Sequence, residues 1–176
     1  MIAAVVLAAG ASTRFGSPKQ ALLLGAVLER LGRARGIDDV VVVTGAHHVT
    51  AGARVVHCPH WQLGPGASLR CGLAALAADV EAAVVVLADG PWLAPEAVER
   101  VVAAWRRGAG GVIAASYGGE RGHPVVLGRP AWAEVPDEGA RALEPVLVPC
   151  DDLGGPGDVD TPEQLAGRAH RSDAER

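Results

Sequence analysis

Aromatic side chains are nearly absent, at 3% of the 176 residues. That excludes an aromatic platform for stacking nucleobases along an RNA or single-stranded DNA. The chain is nevertheless 49% apolar, so its core has to be assembled from Ala, Val and Leu. Basic runs are also missing, and the net charge of -4 argues against a nucleic-acid partner. No apolar stretch reaches the length needed to span a bilayer, so no membrane partner is expected. The start of the chain, Met1 to Leu7, lacks the basic flank of a signal peptide and reads as a strand. Cysteine occurs only at positions 58, 71 and 150. This is an odd, widely spaced set without Cys-x-x-Cys, which predicts a reduced, cytoplasmic protein. There is no Gly-x-Ser-x-Gly elbow for a serine hydrolase, no Walker loop and no Gly-x-Gly-x-x-Gly fingerprint. Lysine occurs once, at Lys19, against fifteen arginines. Where arginine serves as the general surface cation, a retained lysine marks a place that needs a compact ammonium.

What is present is a set of short Val-rich runs, Ala3–Leu7, Val40–Thr44 and Ala83–Leu87. Their unbroken apolar character suits strands buried on both faces of a parallel sheet. Further strands are expected at Val112–Ser116 and Val125–Leu127. Helices are expected over Val27–Arg35, over Leu69–Ala78 behind a Ser68 cap, and over Glu96–Arg107 behind Pro95. The capping box Thr161-Pro-Glu-Gln164 predicts a final helix. This alternation predicts an α/β three-layer sandwich with a mostly parallel, Rossmann-like sheet. One domain is expected over residues 1–169, followed by a polar tail over 170–176.

In such sheets ligands bind beyond the carboxyl ends of the strands, which singles out the loop behind each Val-rich run. After the first comes Gly10-Ala-Ser-Thr-Arg-Phe-Gly-Ser-Pro-Lys19. Its glycines let backbone N–H groups approach a phosphate, and Arg14 and Lys19 add positive charge. An ordinary turn with exposed basic side chains is the alternative. After the third run comes Asp89-Gly90-Pro91. A carboxylate on a stiff turn there could ligate Mg2+, or could cap its own backbone. Asp158 and Asp160 are two residues apart on an extended segment and could serve one metal, or could precede a helix N-terminus. Gly64-Pro65-Gly66-Ala67-Ser68 is a small-residue loop that could lie against a base or phosphate, or simply turn into a helix. Residues 119–124 and 137–141 are polar, glycine-bearing segments able to build an acceptor pocket, although such segments are more often surface loops. His57-Cys58-Pro59-His60 lacks the second ligand pair of a zinc site. His47 and His48 have no acidic partner nearby in sequence.

In order, these segments resemble the MobA-like nucleotidyltransferases, nearest to the molybdenum cofactor cytidylyltransferase branch. The resemblance rests on the run from Val5 to Gln20, then 40–45, 64–73, 87–91, 121–125, 137–141 and 158–163. It covers residues 2 to about 166 and implies a nucleotide-diphospho-sugar transferase-like fold. It implies transfer of a nucleoside monophosphate to a phosphorylated acceptor, with release of pyrophosphate. Leu7, Ala8, Ala9, Gly10, Ser12 and Gly16 would bind the nucleotide, with Gly66 and Ser68 near the nucleoside. Arg14 and Lys19 would hold the triphosphate, and Asp89 would share Mg2+ with Asp160 or Asp158. His123 and Arg141 would face the acceptor. Ala8-Ala9 resembles the cytidylyl branch, so CTP and molybdopterin are the expected substrates, with a molybdoenzyme receiving the product. A sugar or polyol phosphate acceptor, or a non-catalytic nucleotide-binding accessory protein, are the rival readings. The chain departs from the family pattern at Ala88 and Gly90 and in a short stretch between Lys19 and the second strand.

Overall fold

The computed structural model describes residues 1–10 and 19–157. Its strands are β1 (Ile2–Ala8), β2 (Asp39–Thr44), β3 (Arg54–His57), β4 (Ala82–Leu87), β5 (Val112–Tyr117), β6 (Glu120–Gly128) and β7 (Val146–Pro149). Its α-helices are α1 (Lys19–Arg33), α2 (Pro65–Ala74) and α3 (Pro95–Arg106). The strands form one seven-stranded sheet in the order β3-β2-β1-β4-β6-β5-β7. Every pairing is parallel except those of β6, which runs antiparallel to both β4 and β5.

The Val-rich strands are central because both of their faces are buried. Ala4, Val6, Val42, Val84 and Val86 pack on the side of α1 and α3. Their alternating neighbours Ala3, Val5, Val41, Val43, Ala83 and Val85 pack on the side of α2. This two-residue alternation, apolar at every position, is what a doubly covered sheet demands. Small core side chains suffice because the layers are filled by Ala and Val rather than by rings.

Several boundaries differ from the sequence reading. The first helix begins at Lys19 rather than Val27, since Leu23, Leu24, Val27 and Leu31 form one buried stripe. Helix α2 begins at Pro65, so Ser68 lies inside it, and Gly64 occupies the cap position. Proline at the first helical position, without a side-chain cap, sets this start. Strand β6 extends well before Val125, where Gly122 and Pro124 had concealed its pattern. The edge strands β3 and β7 were not foreseen, because each is four residues long and largely exposed. The expected helix from Thr161 and the tail from 170 lie outside the described residues.

The cysteine expectation is corrected. Cys58 and Cys71 form a disulfide, with their Cα atoms 5.8 Å apart. Thirteen residues separate them in sequence, yet Cys58 follows β3 and Cys71 faces it from α2. Only Cys150 is a free thiol, and it is buried. Sequence spacing carries no information about this approach, which the packing of a helix on a strand end creates.

Candidate active site

Leu7, Ala8, Ala9 and Gly10 occupy the carboxyl end of β1, between the ends of β2 and β4. The Leu7 carbonyl accepts from the N–H of Ala88, and the Ala9 carbonyl accepts from the N–H of Ala46. The loops after β2 and β4 are thus tied to the end of the central strand. Ser12, Arg14 and Gly16 lie outside the described residues, and Lys19 opens α1.

Asp89 sits in the turn directly after β4. That turn closes through Gly90 N–H to Leu87 O at 3.3 Å and Leu93 N–H to Gly90 O at 3.2 Å. A late segment of the chain then docks on it. The Trp92 N–H donates to Pro156 O at 3.1 Å. A Cβ on Gly90 would stand 3.2 Å from both Gly157 O and the Pro156 ring. Only a residue without a side chain allows this approach comfortably. The late segment is routed there by further contacts. The Arg100 guanidinium grips Asp152 through two nitrogens, at 2.7 and 2.9 Å, and also donates to Pro149 O. The Gly118 N–H donates to the Asp151 carboxylate. Asp158 and Asp160 themselves lie outside the described residues, but Gly157, the residue before Asp158, is held against the Asp89 turn.

His123 arrives at the same edge because β6 is reversed. Val85 pairs with Val125, so the start of β6 lies beside the end of β4. Leu87, Gly90, Leu93, His123 and Pro156 surround a cavity of about 10 Å³, room for one water. Enclosure there holds the His123 imidazole down to about 4, with the positive charge of Arg121 acting in the same direction and Asp89 opposing. His123 is therefore neutral near pH 7 and available to donate or accept a hydrogen bond. The Tyr117 hydroxyl donates to His123 O at 3.0 Å. Burial, chiefly, raises that phenol to about 12, so it remains a donor.

Gly66 and Ser68 lie apart from this cavity, in the first turn of α2. The Gly66 N–H, read from sequence as facing a ligand, donates to Asp137 O at 2.9 Å. A Cβ on Gly66 would come within 1.8 Å of Pro136 O. Ser68 is 3% exposed. What covers this loop is the segment from Val135 to Leu143. Arg141 is exposed on a 3-10 turn of that segment, Ala140–Ala142.

No role for Tyr117, Arg70, Trp92 or Pro156 was read from the sequence. Their roles arise from contacts between residues far apart in the chain, and no local pattern signals them. Among the described residues, no group of three or more His, Cys, Asp or Glu could hold a metal ion. Within the His57–His60 segment, Cys58 is taken up by its disulfide with Cys71.

The family model described as MobA-like NTP transferase domain matches residues 4–147. No curated protein matches the chain. Among solved structures, the Rv0371c homologue of Mycobacterium sp. strain JC1 shares 26% identity over 97% of both chains, with a TM-score of 0.79. Rv0371c of Mycobacterium tuberculosis H37Rv, solved as a complex with manganese, shares 27% over 94% of this chain and 96% of its own, with a TM-score of 0.73. A nucleotidyl transferase from Methanothermobacter, at 21% identity over 97% of both chains and a TM-score of 0.72, shares the fold.

Proposed function

Because the chain belongs to the MobA-like NTP transferase family, we propose that it transfers CMP from CTP to a phosphorylated acceptor, molybdopterin, and releases pyrophosphate. The observation that carries the reading is the docking of Pro156 and Gly157 on the turn that holds Asp89. It brings the approach to Asp158 and Asp160 to the edge of the sheet where β1 ends in Leu7–Gly10.

The donor set suits a hard divalent cation. Asp89 is a carboxylate at a strand end, and two more carboxylates follow Gly157 within three residues. Asp89 and Asp160, with Asp158 as the further candidate, would hold Mg2+. When bound, the ion supplies charge neutralisation along the triphosphate and at the α-phosphate oxygens. Arg14 and Lys19, with the backbone of Gly10, Ser12 and Gly16, bind the triphosphate and oppose charge developing on pyrophosphate. An acceptor phosphate already presents a nucleophilic oxygen, so alignment outweighs base catalysis. Neutral His123 and the cationic Arg141 serve the acceptor side. The choice of CTP rests on Ala8-Ala9. Nucleoside triphosphates are made in the cytoplasm, where we place the protein, and a molybdoenzyme would receive the product.

The test is pyrophosphate release with each of the four nucleoside triphosphates, Mg2+ and molybdopterin. CTP should support release at least about tenfold faster than the others. Faster release with GTP reverses the base assignment. Release only with a sugar or polyol phosphate replaces the acceptor. Thermal stabilisation by CTP without release for any acceptor identifies a nucleotide-binding accessory protein instead.

A further inference from the structure

The segment Val135–Leu143 is a strap laid across one end of the molecule, and an arginine from a different element holds each of its ends. At the first end, Arg70 of α2 donates to Val135 O at 2.9 Å and to the Asp137 carboxylate at 2.7 Å. Beside it, the Gly66 N–H donates to Asp137 O. At the second end, Arg121 of β6 donates to three backbone carbonyls: Ala140 at 2.7 Å, Leu143 at 2.5 Å and Arg141 at 3.2 Å.

A guanidinium that serves three diverging carbonyls satisfies a turn that has no regular partner of its own. Arg121 is thereby spent on backbone, not on a carboxylate, and has no side-chain ion pair among the described residues. Its own strand also carries His123, two residues on, so the turn bearing Arg141 is fixed relative to His123 through one side chain. Arg70, by contrast, fixes the strap relative to the helix turn that contains Gly66 and Ser68.

We infer that Arg70 and Arg121 are positioning residues that set the two substrate subsites separately, with Arg70 acting on the nucleoside side and Arg121 on the acceptor side of one shared strap. This rests on the proposed function for the acceptor side at His123 and Arg141, and on the resemblance alone for the nucleoside side at Gly66 and Ser68. The strap joins the subsites, while its two pins divide control over them.

Steady-state kinetics and direct CTP binding on Arg70→Met and Arg121→Met test the division. Arg121→Met should raise the acceptor KM, with molybdopterin as the probe, about tenfold or more, and leave the CTP Kd within about twofold. Arg70→Met should give the converse. Arg121→Lys, which keeps charge and stem but loses the fork, should fall between wild type and Arg121→Met. If both variants shift the same constant, or neither shifts any, the inference is overturned. Hydrogen exchange provides the arm independent of turnover. Amides of 139–143 should exchange faster in Arg121→Met, and those of 64–68 in Arg70→Met. Unchanged exchange overturns the pins themselves. Loosening as expected, in a protein that binds no CTP, removes the proposed function and leaves the pins standing.

Discussion

Trp92 and Pro156 are joined by a backbone hydrogen bond of 3.1 Å, although sixty-four positions separate them. Through it the turn after β4 and the late segment leading to Asp158 become one unit. A main-chain contact thus joins the Asp89 turn to Pro156, while the Arg100–Asp152 and Gly118–Asp151 contacts route the segment there.

The closeness of Gly90 to Pro156 and Gly157 is open to direct perturbation. In Gly90→Ala the new methyl meets Gly157 O and the Pro156 ring at 3.2 Å, so the late segment has to give by a few tenths of an ångström. Mn2+ affinity, followed by electron paramagnetic resonance, should fall several-fold, with a stability loss of about 1 kcal/mol. Unaltered Mn2+ binding would show that this contact does not set the distance between the acidic groups.

Gly66→Ala should be far more damaging to the fold. Its Cβ would fall 1.8 Å from Pro136 O and 2.8 Å from Asp137 Cα, both backbone atoms that no rotamer change can move. The strap must lift, and the Gly66 to Asp137 hydrogen bond is lost with it. Urea unfolding should report a loss of about 3 kcal/mol. A loss under about 0.5 kcal/mol would mean that the strap is not seated against Gly66.

His123 makes stability dependent on pH in the acid range. Its folded value is depressed to about 4 from 6.5. Between those values the unfolded chain holds a proton that the folded protein lacks, so stability rises with pH across that window and falls on acidification. The effect is on the order of 3 kcal/mol between pH 6.5 and pH 4. Urea midpoints measured across that range should slope less steeply for His123→Gln. Parallel slopes would assign the acid sensitivity to other groups.

Asp89→Asn and Lys19→Arg probe the proposed chemistry. Asp89→Asn should cut Mg2+-dependent pyrophosphate release by at least about 100-fold while the far-ultraviolet circular dichroism stays unchanged. Lys19→Arg preserves charge but replaces a compact ammonium with a planar fork, and should cost about tenfold or more in kcat/KM. Near-normal rates in either variant remove that residue from the assigned role.

The central strands were legible because a parallel sheet covered on both faces leaves no ambiguity: each of its positions has to be apolar. Helix α3 was legible from Pro95 and the glycine after its end. Edge strands β3 and β7 were not, since an exposed four-residue strand carries little apolar signal. The start of α1 was missed, as its buried stripe begins immediately beyond the glycine loop. For the site, the turn at Asp89 and the β6 histidine stand at one edge because β6 runs antiparallel to β4, a reversal that no local pattern signals. The involvement of Gly66 N–H with Asp137 could not be read, because a helix N-terminus looks the same in sequence whether a ligand or another stretch of backbone occupies it. Pairing of Cys58 with Cys71 escaped for a related reason: spacing says nothing about a helix that folds back on a strand end.

The reversal of β6 has a consequence for inheritance. The groups assigned to nucleotide and metal come mainly from the chain up to Gly90, and those assigned to the acceptor from Tyr117 to Leu143. Under that proposed assignment, recombining one contiguous stretch would exchange the acceptor. Arg70 limits that freedom, because it belongs to the first half yet holds Asp137 of the second. A chimera joined between the two halves inherits a working seam only when both partners of that ion pair arrive together.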